Sequence, residues 1–239
     1  MTTILKVAAY RAASALREAG LHPKRTHLNE ILAALLGYRT YAALAAEEAD
    51  DGLPWHLDDA ELLVLCKPAA QARGETLGLP SSAAVVDACT DALKSSAAEG
   101  VQVFVGVDDY YDSHGREALA DAIESSPEVA GAMAETNAGF QDSPELPDET
   151  PRTANLWEAR DKWSIEADGS LDGEHDFESD RMFFGDKLRC FGRLSYAKAG
   201  RAGLILSGGE GYASVDRSAA DADHEAEMEY WAEQQRQAQ

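Results

Sequence analysis

The chain has 239 residues, 45% of them hydrophobic, with 43 Asp/Glu against 21 Lys/Arg and a formal net charge of −22. That length can bury a core as one large domain or two small ones, and eight tyrosines, six phenylalanines and four tryptophans argue against disorder along the whole chain. No apolar run approaches the roughly 18 residues of a bilayer-spanning helix, and the opening Met-Thr-Thr-Ile-Leu-Lys lacks a signal-peptide layout, so the expectation is a cytoplasmic protein without a membrane partner.

The acids are unevenly spread. Residues 1–50 carry six Lys/Arg and five Asp/Glu, residues 51–150 carry four and twenty, and residues 151–239 carry eleven and eighteen. Such a surface repels nucleic-acid phosphates, so DNA or RNA is not the expected partner. It serves solubility, or it attracts a basic protein surface, including the groove of a nucleic-acid-binding protein. Cys66, Cys89 and Cys190 lie far apart, form no C-x-x-C, and read as small buried apolar residues.

In chain order, residues 4–19 read as an amphipathic helix capped by Thr2 or Thr3 and stopped by Gly20. Thr26 caps a second helix through Leu36, with Leu28, Ile31, Leu32, Leu35 and Leu36 on one face; Gly37 ends it, and Thr40 caps a third. The helix–turn–helix spacing invites a DNA-binding reading through Lys24, Arg25 and Arg39. The helix after Thr40, however, offers no side chains that read base edges. The segment Leu28–Leu44, with Leu36-Gly37-Tyr38-Arg39 followed by Tyr41 and Leu44, resembles the small helical domain called glyoxalase-related, found in bacterial proteins often carried on plasmids and other mobile elements. The resemblance spans about residues 4–48. It implies a helical module and a mobile-element context, but no glyoxalase chemistry, because no His and Glu ligand set can be carried over.

Residues 49–57 read as a linker in which Trp55 packs back on the bundle. Asp58 or Asp59 then caps a helix kinked at Pro68, although the apolar run Leu62–Cys66 fits a strand equally. Ser81 or Ser82 caps the next helix, which Gly100 stops. Val101–Val107 reads as a buried strand that leads into Asp108, Asp109, Tyr110, Tyr111 and Asp112. A short helix over 116–124 follows, and then Ser126-Pro127-Glu128 starts another that runs to about Asn137. The proline- and acid-rich stretch 142–151 is the expected internal boundary. Beyond it the period becomes two: Asp168-Gly169 and Gly185-Asp186 predict turns, Leu188, Cys190, Leu194 and Tyr196 share an inward face, and Lys187, Arg189 and Arg193 form a basic outer face. Ala199-Gly200 turns into a last strand over 201–206, ended by Gly208-Gly209-Glu210-Gly211. From residue 216 onward the tail is polar and reads as helical, anchored by Met228 and Trp231.

The sequence therefore predicts an α+β protein: a three-helix module (1–50), an acidic, mostly helical region with a strand at 101–107 (51–150), an antiparallel β region (151–215) and a tail (216–239). Strand 101–107 is expected to join the later sheet. Two acid–histidine clusters, Asp108/Asp109/Asp112/His114 and Asp172–Asp176, invite a metal reading, but neither has calcium-loop or zinc spacing. No serine has a nucleophile-elbow context and no phosphate loop is present, so no cofactor or metal is assigned.

The leading expectation is a non-enzymatic interaction factor that binds a basic partner through Asp108, Asp109, Tyr110, Tyr111, Asp112, Glu117, Asp121, Glu124 and Glu128. It would act as a mobile-element accessory or an anti-defence factor imitating nucleic-acid charge. The alternatives are a DNA-binding regulator using the N-terminal helices, and a metal-dependent enzyme centred on Asp108 and Asp109.

Overall fold

The computed structural model describes residues 3–136, 138–175 and 187–216. The predicted Gly185-Asp186 turn, Asp176, and the tail anchors Met228 and Trp231 lie outside them. No described helix is long and apolar enough to cross a membrane.

The fold is α+β, with helices α1 (Thr3–Glu18), α2 (Arg25–Leu35) and α3 (Tyr41–Glu47) first, as the sequence predicts. Gly20 and Gly37 close α1 and α2 in the left-handed region, at φ of 76° and 83°. Thr40 accepts the Ala43 N–H at the start of α3. The second helix starts one residue before Thr26, with Lys24 as a cap that makes no side-chain bond.

After a 3-10 turn at Leu57–Asp59, strand β1 (Leu62–Leu65) resolves the ambiguity at residues 58–72. All four of its residues are buried, so it has no polar face and no period-two signal to read. Pro68 sits in the first turn of α4 (Lys67–Thr76), where a missing N–H costs nothing; it starts a helix rather than kinking one. Trp55 is exposed rather than packed on the bundle. Helix α5 (Ser82–Ser96) then leads to β2 (Gln102–Val105), which runs parallel to β1 and so needs the α4–α5 crossover.

The later strands are β3 (Ala138–Gly139), β4 (Lys162–Asp172), β5 (Glu174–His175), β6 (Lys187–Ala199) and β7 (Gly203–Val215); β3 pairs antiparallel with β5, and the others join a five-stranded mixed sheet of order β2-β1-β7-β6-β4. Strand β1 pairs antiparallel with β7, Leu62 opposite Leu204. The 101–107 strand thus joins the later sheet, but as its edge and with only Phe104 buried, not as a core strand.

The chain divides into two compact units, each assembled from three stretches. The first comprises Met1–Gly115, Arg152–Ile165 and Ser195–Gly208. Its core joins α1, α2, α4 and α5 to β1, with Ala199 and Ala202 from the β6–β7 turn and Trp157 packed alongside. The Trp157 indole N–H donates to the Val64 carbonyl at 2.8 Å. In the same unit Tyr110 meets Phe104, Trp163 and Tyr196 edge to face, and Trp163 lies tilted against Tyr196, with centroids 5.5 to 6.1 Å apart.

The second unit comprises Arg116–Pro151, Glu166–Leu194 and Gly209–Gln239. Its described core sets Ile123 of α7 (Arg116–Glu124) and Val129 and Ala132 of α8 (Pro127–Glu135) against Leu171, Leu188 and Cys190. Ser126 caps α8 as predicted, accepting the Glu128 N–H, and its one hydroxyl proton faces both the Gly211 carbonyl and the Glu128 carboxylate.

The predicted turn at Asp168-Gly169 and the predicted strand end at Gly208–Gly211 are both strand interior. At Asp168-Gly169 the sheet continues because Ser170 pairs with Glu145, and a Cβ on Gly169 would meet the Glu145 carbonyl at 2.5 Å. This glycine admits a neighbouring backbone. Likewise β7 runs through Gly208–Gly211 to Val215. A Cβ at Gly211 would come within 2.5 Å of the Ile123 Cα, and one at Gly192 or Gly209 would press on Ile123 or Ala122 at 3.1 Å. These glycines form a shelf that lets α7 approach the strands. Gly211→Ala is therefore expected to cost about 1–3 kcal/mol in urea unfolding. Gly208→Ala, whose Cβ would meet nothing within 4 Å, should leave stability within about 0.5 kcal/mol. Equal losses at the two positions would refute the shelf.

Candidate functional site

The predicted interaction residues divide by burial. Gly106, at φ 100°, turns β2 into helix α6 (Val107–Tyr110), which passes through a π turn (Tyr111–Gly115). Tyr110 and Tyr111 are both fully buried. The Tyr110 hydroxyl lies 2.6 Å from that of Tyr196, and burial raises both phenols, that of Tyr110 well above its usual range. A Cβ on Gly115 would meet the Tyr110 ring at 2.8 Å. Neither tyrosine is a contact residue; their pairing with acids in sequence reflects a helix with one inward face. Asp109 is structural too. Its carboxylate accepts the Val105 N–H at 2.6 Å and the Ser113 hydroxyl at 3.3 Å, which fixes the strand-to-helix junction. Asp108 and Asp112 are exposed. Among the described residues no three His, Cys, Asp or Glu side chains converge to hold a metal ion.

In the second unit, Glu117, Asp121 and Glu124 lie at i, i+4 and i+7 on the exposed side of α7, opposite buried Leu119 and Ile123. Like charges at this spacing cost a few tenths of a kcal/mol each. Glu128 follows in the first turn of α8, its carboxyl held below the usual range by the Ser126 hydroxyl. Each described base of this unit is committed elsewhere: Arg116 to Asp148 (2.6 Å), Lys187 to Asp172 (3.0 Å), Arg189 to Asp216 (3.1 Å) and Arg193 to Glu166 (2.7 Å). The predicted basic strand face is therefore neutralised by acids on neighbouring strands and at their ends. The helical carboxylates Glu117, Asp121, Glu124 and Glu128 have no ion pair among the described residues.

Lys24 and Arg25 stand at the start of α2 and Arg39 lies beyond its C-terminal end. The eleven residues of α2, roughly 16 Å at about 1.5 Å rise per residue, lie between the two ends.

One ionisable cluster escaped the sequence reading, and it lies wholly in the first unit. Lys198 is only 4% exposed and donates to the Arg201 carbonyl at 2.7 Å. Burial pushes its amine down to about 7, against the opposing pull of Glu47. Arg201 stacks its guanidinium 5.1 Å from the Tyr38 ring centroid, and the Arg201 backbone N–H donates to the Tyr38 hydroxyl. That hydroxyl in turn donates to Glu47 at 2.6 Å. Burial, then the Glu47 carboxylate, raises the Tyr38 phenol. Beside this clasp is a cavity of about 320 Å³ lined by Glu47, Asp50, Glu158, Arg160, Asp161 and Arg201. The clasp ties the β6–β7 turn to α2 and α3, with its amine, phenol and carboxylate satisfied within the protein. Its signal was available: Lys198 continues the inward alternation Leu194–Tyr196 by one more step.

Burial also raises the three cysteine thiols, that of Cys190 to about 11 and that of Cys89 to about 12, so none is poised as a nucleophile.

Comparison with protein families, curated proteins and solved structures gives no significant match for this chain.

Lys198 makes stability depend on pH. Its folded pKa lies below the usual 10.5, so the unfolded chain binds more protons between about 7 and 10.5. The penalty is complete below pH 7 and is relieved as pH rises through that window. Lys198→Met should therefore stabilise the protein at pH 6 by on the order of 1–4 kcal/mol. It should also flatten the rise in melting temperature between pH 7 and pH 9. An unchanged slope in the variant would show that Lys198 is not the titrating group.

Proposed function

We propose that this protein is a non-enzymatic docking factor that holds a basic surface of another protein through Glu117, Asp121, Glu124 and Glu128. The observation that carries this reading is the charge pattern of the second unit, where each described base is spent on an ion pair while the α7 stripe keeps three like charges at helical spacing. Among the described residues no base pairs with that stripe. Its repulsion is a small cost that a cationic partner would relieve. A regular line of negative charge also matches the Lys/Arg lining of a nucleic-acid-binding groove. Occupation of such a groove would exclude the nucleic acid, which is the action of an anti-defence or mobile-element accessory factor.

Asp108 and Asp112 belong to the first unit and are left out of the docking set; Asp109, Tyr110 and Tyr111 are left out because the fold uses them.

The test compares two triple charge reversals of equal magnitude, using a lysine- and arginine-rich peptide as probe in fluorescence anisotropy. Glu117→Lys/Asp121→Lys/Glu124→Lys should weaken binding at least about tenfold, equivalent to about 1.4 kcal/mol. Glu75→Lys/Asp91→Lys/Glu99→Lys, on exposed positions of the first unit, should weaken it less than about threefold. Equal weakening by both sets would mean that net charge alone attracts the peptide, and the α7 surface would be abandoned.

A further inference from the structure

A cavity of about 220 Å³ in the first unit differs chemically from the rest of this acidic protein. Two loops of similar construction enclose it. Gly20-Leu21-His22-Pro23 follows α1, and Gly78-Leu79-Pro80 follows α4. In each, a left-handed glycine closes the helix, and the next leucine N–H donates back to the helix: Leu21 to the Leu16 carbonyl and Leu79 to the Gly74 carbonyl. A proline then stiffens the exit. The walls are thus set before any ligand arrives, which lowers the ordering cost of binding.

The lining separates into two halves by chemistry. Leu21, Leu79 and the buried Val85 supply an apolar floor, while His22, Lys24 and His27 supply nitrogen donors. Among the described residues no carboxylate lines the cavity, in a chain with 43 acids. Lys24 forms no ion pair among the described residues, so its charge is open to a ligand. The end caps of α2 and α5, Lys24 and Ser81, make no side-chain capping bond, so the first-turn amides nearby add to a positive potential that the side chains already establish.

We propose that this cavity binds a small organic carboxylate with an apolar body, its charge met by His22, Lys24 and His27 and its hydrocarbon resting on Leu21, Leu79 and Val85. Charge complementarity selects the head and the apolar floor selects the tail, so neither a bare anion nor a neutral alcohol satisfies the whole site. This ligand is independent of the basic partner, which meets a different unit and the opposite charge. Failure of one proposal leaves the other standing.

The test follows the imidazole ring-proton signals of His22 and His27 by NMR during titration with hexanoate, hexanol and inorganic phosphate. Hexanoate should give saturable shifts of both signals, with hexanol and phosphate each requiring at least about tenfold more ligand. Lys24→Glu should weaken hexanoate binding by at least about tenfold, while Lys6→Glu, an equal charge change on the exposed side of α1, should leave it within about twofold. The site is overturned if hexanoate gives no saturable shift at millimolar concentration. It is equally overturned if hexanol or phosphate saturates as readily, or if the two lysine variants behave alike.

Discussion

Positive charge is the scarce resource of this protein, and where its few bases are placed decides most of what the surface can do. With 21 Lys/Arg for 43 Asp/Glu, an acid that is not given a base stays uncompensated. The fold uses its bases where backbone must be held. Arg73 reaches Glu30 at 2.6 Å to tie α4 to α2, Lys67 meets Asp87, and Arg201 lies over Tyr38 to seat the β6–β7 turn. In the second unit, Lys187 and Arg189 meet acids at the strand ends, and Arg193 ties β6 to Glu166 of β4. Exposed pairs of this kind each contribute little stability. Their larger effect is on what remains, because the exposed carboxylates of α7 and α8 are left without a base among the described residues.

The same scarcity gives Lys198 its character. A lysine enclosed by β6, the following turn and the Tyr38–Glu47 pair loses most of its hydration, and one carboxylate does not restore it. Its stem packs like the leucines and tyrosine before it in β6, and its nitrogen satisfies a carbonyl in a tight turn. It thus serves as an inward residue of a strand, at a cost in stability that rises as the solution becomes more acidic.

Features of the fold that depend on near neighbours were legible in the sequence. The glycine stops at Gly20 and Gly37, the Thr40 and Ser126 caps and the alternation of β6 all rest on contacts a few residues away. What misled were residues whose role is set by distant chain. Leu62–Leu65 is a strand because β2 and β7 flank it, and no periodicity marks a segment buried on both faces. Gly169 looks like a turn and Gly211 like a strand end, and both are points of close approach, to Glu145 and Ile123. Tyr110 and Tyr111 look like contact residues beside acids, but Tyr196, which buries Tyr110, lies 86 positions away. Of the proposed docking surface, the acids Glu117, Asp121, Glu124 and Glu128 were readable from helical spacing. That the strand bases do not neutralise them was not, because it depends on which acids the sheet brings opposite Lys187, Arg189 and Arg193.

The central claim is that attraction for basic partners is local to α7 and the start of α8 and is not a property of the whole acidic surface. The most direct measurement is zero-length carbodiimide coupling of a lysine-rich peptide to the intact protein, with the modified carboxylates located by peptide mass mapping. The account predicts early coupling concentrated at Glu117, Asp121, Glu124 and Glu128, with exposed Glu75, Asp91 and Glu99 reacting later. Coupling spread evenly over exposed carboxylates in both units would contradict it.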